Sequence, residues 1–317
     1  MWRYFCTREW LLWSWGGLAL ILGLTYYQVQ LDVQINEWFG AFYDTLQLAL
    51  AGKVSDVSEL YVLLYDFAKI AGILVFVAVF TAFFASHWCF RWRNSMHEYY
   101  TSHWKGSVEG ASQRVQEDTL KLARILETLG IGLIEAILKI VAFLPLLHVL
   151  SKQITEVPFF GQVDNSMVWL AIITALGGTV LLAIVGGKLP GIEYSIQKEE
   201  AKYRKYLVLA EDTGTIKPKE IKDIYEDVKK INYKSFWHYL YFDATKWTYL
   251  QAMVVVPYIA LAPTLVSGAV TLGFVTQISR AFSKVAESFQ YIVRSWSTIV
   301  ELLSIHKRLR EYERKIK

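Results

Sequence analysis

Six stretches of the chain are apolar for about long enough to cross a bilayer as helices, a distance that takes roughly 20 residues at 1.5 Å each. They lie at about 10–31, 67–88, 129–150, 167–187, 236–261 and 264–301. The third is interrupted by Glu135, Lys139 and Pro145, and the sixth becomes steadily more polar towards Glu301. Between the second and third runs, and again between the fourth and fifth, apolar and charged residues alternate at helical spacing instead of breaking into loops. Trp88 to Leu129 contains no proline, while Gly214 and Pro218 mark a turn inside the second connection. These patterns predict helical extensions over about 89–128 and 188–235. The expected fold is an all-α membrane protein of six long helices in one transmembrane domain over 1–317, with the outline of an ABC-exporter transmembrane domain.

Charge distribution orients that outline. The segment between runs one and two holds Asp32, Glu37, Asp44, Asp56, Glu59 and Asp66 against a single Lys53. The long connections are rich in cations, from Arg91, Arg93, Arg114 and Arg124 in one to Lys188, Arg204, Lys229 and Lys234 in the other. Positive charge on the cytoplasmic side places both termini and both long connections in the cytoplasm. Trp10, Trp13, Trp15, Trp88, Trp92 and Trp237 fall near the ends of apolar runs, where indole rings favour the headgroup region. Arg3 and Arg8 precede the first run as in a signal peptide, but the run is too long and no small-x-small site follows, so it is expected to be retained as a span.

Composition agrees: 54% of the 317 residues are hydrophobic and yet 20% are charged, which fits membrane helices that continue into water. The net charge of +4 decides nothing about partners. Cys6 and Cys89 have neither metal-ligand spacing nor a disulfide framework.

Charges at membrane depth are the candidate chemistry, since each costs roughly 2.5–3.5 kcal/mol at a bilayer centre on insertion scales. On a continuous α-helix, Glu117, Arg124 and Glu135 fall within about 20° of one line, with Glu109 and Glu127 about 80° to one side and Lys139 about 40° to the other. This ladder rises ~27 Å from Glu117 to Glu135. In the sixth run Arg280, Lys284, Glu287, Tyr291, Arg294, Thr298 and Glu301 share an arc of about 80–100°, opposite Phe282, Val285, Ile292 and Ile299, as a lumen wall would. Arg114, Arg124, Arg280, Lys284 and Arg294 are the expected cavity-lining cations. Carboxylates held there would have raised pKa values and could exchange protons across the membrane. The alternative is structural pairing: Glu135–Lys139 and Asp243–Lys246 have i,i+4 and i,i+3 spacing, and long side chains can reach the headgroups.

Enzyme signatures are absent from the sequence. Val185–Pro190 lacks the glycine spacing and the Ser/Thr of a P-loop, His97-Glu98 is followed by Thr101 where a zinc-binding motif needs histidine, and no G-x-S-x-G occurs. No nucleotide-binding domain, catalytic residue, cofactor, metal or nucleic-acid partner is expected.

Several blocks resemble the SbmA/BacA family of bacterial inner-membrane peptide transporters: FFASHWCFRWRNSMHEYYTSHW at Phe83–Trp104, VEGASQRVQEDTLKLARILETLG at Val108–Gly130, AFLPLL at Ala142–Leu147, GGKLPGIEYSIQKEEAKYRKYLV at Gly186–Val208 and SWSTIVELLSIHKRLRE at Ser295–Glu311. The resemblance implies a homodimer in the bacterial inner membrane that imports antimicrobial peptides and related compounds on the proton gradient, through a polar cavity with a line of glutamates. Carried over by motif, it marks Glu109, Glu117, Glu127, Glu193 and Glu301; Glu135 and Glu287 enter from the helical projections above. Longer family members carry a further membrane region ahead of the first span. Two other readings stand beside this one: a transmembrane subunit served by a separate ATPase, and a membrane scaffold or receptor that transports nothing.

Overall fold

The computed structural model describes residues 2–53, 56–104, 111–154, 156–158, 161, 163–214 and 218–316. Apart from one isolated bridge between Val157 and Gly161, the described residues form helices and turns. In chain order the helices are α1 (Arg3–Cys6), α2 (Gly17–Leu50), α3 (Ser58–Ser102), α4 (Ala111–Ser151), α5 (Ser166–Gly186), α6 (Leu189–Thr213), α7 (Pro218–Val266), α8 (Leu272–Arg294) and α9 (Trp296–Ile316). The protein is an all-α membrane protein.

Among the described residues, four helices are long and apolar enough to cross a membrane: α3, α4, α5 and the part of α7 from Lys219 to Val266. They contain the second to fifth predicted runs. At 45 and 49 residues, α3 and α7 are ~68 and ~74 Å long, more than twice a hydrocarbon core of about 30 Å. Their excess length accounts for much of the predicted extensions. Broad apolar faces carry exposed Ile73, Phe76, Val79 and Phe83 on α3 and Ile173, Val180 and Ile184 on α5. In water such surfaces would drive aggregation; in lipid they are the expected exterior.

The first and sixth runs fold differently from expectation. A π-helical turn at Leu12–Gly16 precedes α2, which then continues to Leu50, well past the predicted end and through Asp32, Glu37 and Asp44. The sixth run is divided: α7 extends through Pro257 and Pro263 to Val266, α8 starts at Leu272, and Ser295 separates α8 from α9. Residues 280–294 and 296–301 therefore belong to different helices.

The described chain forms two compact units, Met1–Ala175 with Val256–Lys317, and Leu176–Val255. In the first, α2 packs on α3, α4 and α8, and α4 packs on α8. Phe143, Leu147, Ile278, Phe282 and Val285 are fully buried there. Glycines permit close helix approaches. A Cβ at Gly273 would overlap the Gly40 carbonyl and the Asp44 carboxylate, and one at Gly132 would overlap the Tyr291 ring and hydroxyl. Away from this core, α9 docks on α3 and the start of α4 through Met96, Tyr100, Val115, Leu122, Ile305, Leu309 and Tyr312.

In the second unit, α6 ends at Gly214, whose φ of +63° is the left-handed cap that glycine adopts readily, and Pro218 opens α7. This is the turn that the sequence marks. Lys202 on α6 pairs with Asp227 on α7 at 3.6 Å, and the Tyr203 and Tyr225 rings lie 5.4 Å apart. Higher up, Tyr249 fills the space that a side chain at Gly178 would need.

Candidate functional site

The densest group of charges near the core lies where α2, α4 and α8 meet. α2 and α8 run antiparallel in a register set by four contacts. Asp44 Oδ1 accepts the Gly273 N–H at 2.7 Å, Gln277 touches Gly40, the Arg280 guanidinium lies 3.8 Å from the Phe39 ring centre, and Lys284 donates to Asp32 at 3.1 Å. Lys139 of α4 reaches the same Asp32 oxygen at 3.6 Å and also pairs with Glu135, one turn earlier on its own helix, at 2.5 Å. Glu287 lies within electrostatic reach of Lys139, and Asp32 within reach of Arg280. The Asp32 side chain is 18% exposed. Three carboxylates and three cations thus share one junction, and their formal charges cancel.

Polar groups without protein partners sit beside it. Asn36 is 2% exposed, and neither atom of its amide has a hydrogen-bond partner among the described residues; the Ser279 hydroxyl and Arg280 Nε are buried in the same condition. Buried polar atoms normally find a partner, and these belong to α2 and α8.

A second charged group lies at the foot of α4. Asp118, 1% exposed, accepts from Arg114 Nη1 at 2.8 Å and in bidentate fashion from Arg308 of α9, at 3.1 Å from Nε and 2.8 Å from Nη2. Burial alone would raise the pKa of this carboxyl, but the bonds from Arg308 and Arg114 outweigh it and hold it below the ordinary range. Glu117, next to it, turns towards Lys121 at 2.7 Å and accepts from Gln113. Those bonds lower its pKa, contrary to the expected rise, because Glu117 is about 41% exposed and has a cation one turn away.

The single glutamate ladder does not form as one line. α4 contains π-helical turns at Arg114–Asp118 and Leu126–Gly130. Each adds about one residue to a turn and rotates the following side chains by roughly 100° relative to a regular α-helix. Glu117 therefore faces Lys121, Arg124 is exposed, Glu127 accepts from the Ser86 hydroxyl of α3, and Glu135 joins the junction. The break at Ser295 likewise divides the expected stripe. Arg280 and Lys284 are engaged by Phe39 and Asp32 in packed helix contacts, where an open lumen wall was expected. Glu287 and Arg294 are on the exposed side of α8, Arg294 donating to Gln290 at 2.8 Å, and Glu301 is exposed on α9. Glu193 is exposed on α6 in the second unit. Glu109 lies outside the described residues. As expected of the apolar side of the stripe, Phe282 and Val285 are fully buried.

Asp32, Asn36, Asp118 and Arg308 are the residues that the sequence patterns did not single out. For Asp32 a signal existed: the apolar alternation continues past it through Val33 and Ile35, so the acid lies within a helix and not at the start of a loop.

Comparison with known proteins adds a family. Residues 7–317 match the model of the SbmA/BacA-like family. The chain is 23% identical over 322 residues to the inner membrane ABC transporter ATP-binding protein YddA of Escherichia coli (strain K12), covering 93% of this chain and 55% of that protein. It is 22% identical over 329 residues to the uncharacterized ABC transporter ATP-binding protein sll0182 of Synechocystis sp. (strain ATCC 27184 / PCC 6803 / Kazusa), covering 96% of this chain and 46% of that protein. The chain thus spans about half the length of these relatives.

Proposed function

Because the chain belongs to the SbmA/BacA-like family, we propose that it is a bacterial inner-membrane transporter that imports antimicrobial peptides and peptide-like compounds, driven by the proton gradient. The observation that carries the reading is the charged junction of α2, α4 and α8 in a protein whose other faces are suited to lipid. Ionisable groups in a membrane domain face a bundle interior or an aqueous path when they serve transport. The reading takes the working unit as a homodimer with both termini in the cytoplasm, as the distribution of Lys and Arg indicates. Glu127 and Glu135 have partners that could give way to a proton, Ser86 and Lys139 respectively. Glu117, held ionised by Lys121, acts instead as a fixed charge at the foot of α4.

The test is uptake of a labelled cationic peptide by cells lacking their own importer, with and without a protonophore. Native protein should confer uptake that the protonophore abolishes. Glu127→Gln and Glu135→Gln should each reduce it, and Glu117→Gln should reduce it less. Full uptake by the Glu127→Gln/Glu135→Gln double variant would refute proton carriage by these glutamates.

A second reading keeps the membrane fold but draws on ATP. It is favoured by the two relatives, which are both named ATP-binding proteins and are about twice the length matched. Uptake that survives collapse of the proton gradient but stops on ATP depletion would favour it.

A further inference from the structure

Among the charged contacts at the α2–α4–α8 junction, those of Asp32 have a property the glutamates lack. The Glu135–Lys139 pair lies within one helix and cannot hold two helices together. Lys284 and Lys139 come from two different helices, and both converge on Oδ2 of Asp32, at 3.1 and 3.6 Å. If Asp32 is neutralised, Lys139 still has Glu135. For Lys284, Asp32 is the carboxylate within ion-pair distance among the described residues. One proton on one oxygen therefore removes the ion pair between α2 and α8, while the Asp44–Gly273 and Arg280–Phe39 contacts and the internal pair of α4 stay in place.

We propose that Asp32 is a further proton-accepting group, beyond Glu127 and Glu135, and the one that couples the gradient to movement of α8 against α2, with Lys284 and the proton competing for it. This inference rests on the proton-driven reading given above. In the arrangement seen, the docked ammonium of Lys284 occupies Oδ2 and disfavours the proton. When α8 moves away, Asp32 is left partly buried with only Lys139 near it, and proton binding relieves a desolvated carboxylate. Because proton and lysine exclude one another, protonation must shift the helix equilibrium and the helix position must shift proton affinity by the same factor. The step is a simple proton transfer: Asp32 gains a proton, its negative charge is lost, and Lys284 retains all its protons and is freed.

The surroundings suit a proton relay. Asn36 lies one turn from Asp32 on the same face of α2, and its buried amide, the Ser279 hydroxyl and Arg280 Nε are polar atoms that no other described residue satisfies. Water bridging them would bring a donor to Asp32 through the helix contact. The charged groups around Asp32 are Lys139 from α4 and Arg280 and Lys284 from α8, with Glu135 paired to Lys139 and Glu287 within electrostatic reach of Lys139. On α3 the charged pair Asp66–Lys69 lines a groove with Gln34 and Glu37, on another part of the α2 surface. The pH response assigned to Asp32 therefore arises among three carboxylates and three cations, and Asp32 is the carboxylate among them that forms an ion pair between α2 and α8.

The experiment uses purified full-length protein in liposomes and a labelled cationic peptide. Two quantities are read: uptake driven by an imposed pH gradient, and exchange of peptide at equal pH on both sides. Asp32→Asn should lower gradient-driven uptake by about tenfold or more while exchange stays within about twofold of native, and should flatten the pH profile of exchange. Lys284→Gln should retain exchange but allow proton entry without peptide, since the α8 ammonium then no longer competes with the proton. If Asp32→Asn is poorly folded, Asp32→Asn/Lys284→Gln restores neutrality and should recover folding and exchange but not gradient-driven uptake. Gradient-driven uptake at the native level in either Asp32 variant overturns the proposal, as does an equal loss of uptake and exchange in the folded double variant. If the native protein itself shows no gradient-driven uptake, the proton-driven function fails along with this inference. If the native protein is driven and the Asp32 variants are driven equally, this inference fails alone.

Discussion

Replacing Arg308 with alanine is expected to release α9 from the rest of its unit. Arg308 supplies two of the three hydrogen bonds from arginine to the Asp118 carboxylate, at 3.1 and 2.8 Å, while Arg114 supplies the third at 2.8 Å. Hydrogen bonds to charged groups contribute about 1.5–3 kcal/mol each, and removing one partner of a buried pair typically destabilises by about 3–5 kcal/mol. The Arg308 side chain is 34% exposed, so part of its interaction is screened, and Arg114 still neutralises the carboxylate. A loss of about 2–3 kcal/mol is therefore expected, against an apolar contact by Ile305, Leu309 and Tyr312 that remains. Backbone hydrogen exchange in detergent reads it directly. Amides of α9 from Ile305 to Ile316 should exchange roughly 30–150 times faster, while those of the α2–α8 contact stay protected. Arg308→Lys keeps the charge but loses the fork and should fall between native and alanine. Unchanged α9 protection in Arg308→Ala would refute the claim that the clamp on Asp118 fixes this helix.

Three further outcomes follow from the same geometry. Gly132→Ala should destabilise the α4–α8 contact by about 1–3 kcal/mol through overlap with Tyr291. Thermal unfolding should show partial recovery in Gly132→Ala/Tyr291→Phe, whereas Gly273→Ala, which meets the Gly40 backbone carbonyl, should not be relieved by any trimming of Asp44. The Asp118 carboxyl is held below its ordinary value of 3.8, so its stabilisation is complete above that value and is lost as pH falls through the lower, folded value. Exchange protection of α9 should thus be flat from about pH 8 to 5 and decline only below about pH 4. In native detergent-solubilised protein a maleimide should label the exposed Cys6 and leave the buried Cys89 unmodified until denaturation; equal labelling would contradict the packing of α3.

Much of the helical layout was legible because it depends on local pattern. The apolar runs at 67–88 and 129–150 lie inside α3 and α4, that at 167–187 lies inside α5 but for its last residue, and the end of α6 and start of α7 were readable from Gly214 and Pro218. What escaped depends on tertiary packing. The π-helical turns at Arg114–Asp118 and Leu126–Gly130 have no composition that marks them, yet they rotate Glu127 and Glu135 away from the line of Glu117. The break at Ser295 lies in a stretch with no glycine or proline, so the stripe from Arg280 to Glu301 reads as one helix. For the site, burial on one helix could be anticipated, as Phe282 and Val285 demonstrate, but pairing between distant helices could not. Asp32 and Lys284 are 252 residues apart, and Asp118 and Arg308 are 190 apart. A helical wheel places residues on a face without saying what that face meets.

The central claim is that acids within the helical bundle take up protons to move a peptide inward. The most direct measurement is peptide accumulation in liposomes containing only this protein, with a pH gradient imposed and no nucleotide present. Accumulation above the external concentration that collapses on addition of a protonophore is the predicted result. Accumulation that ignores the gradient, or that appears only when ATP and a second polypeptide are supplied, would contradict it.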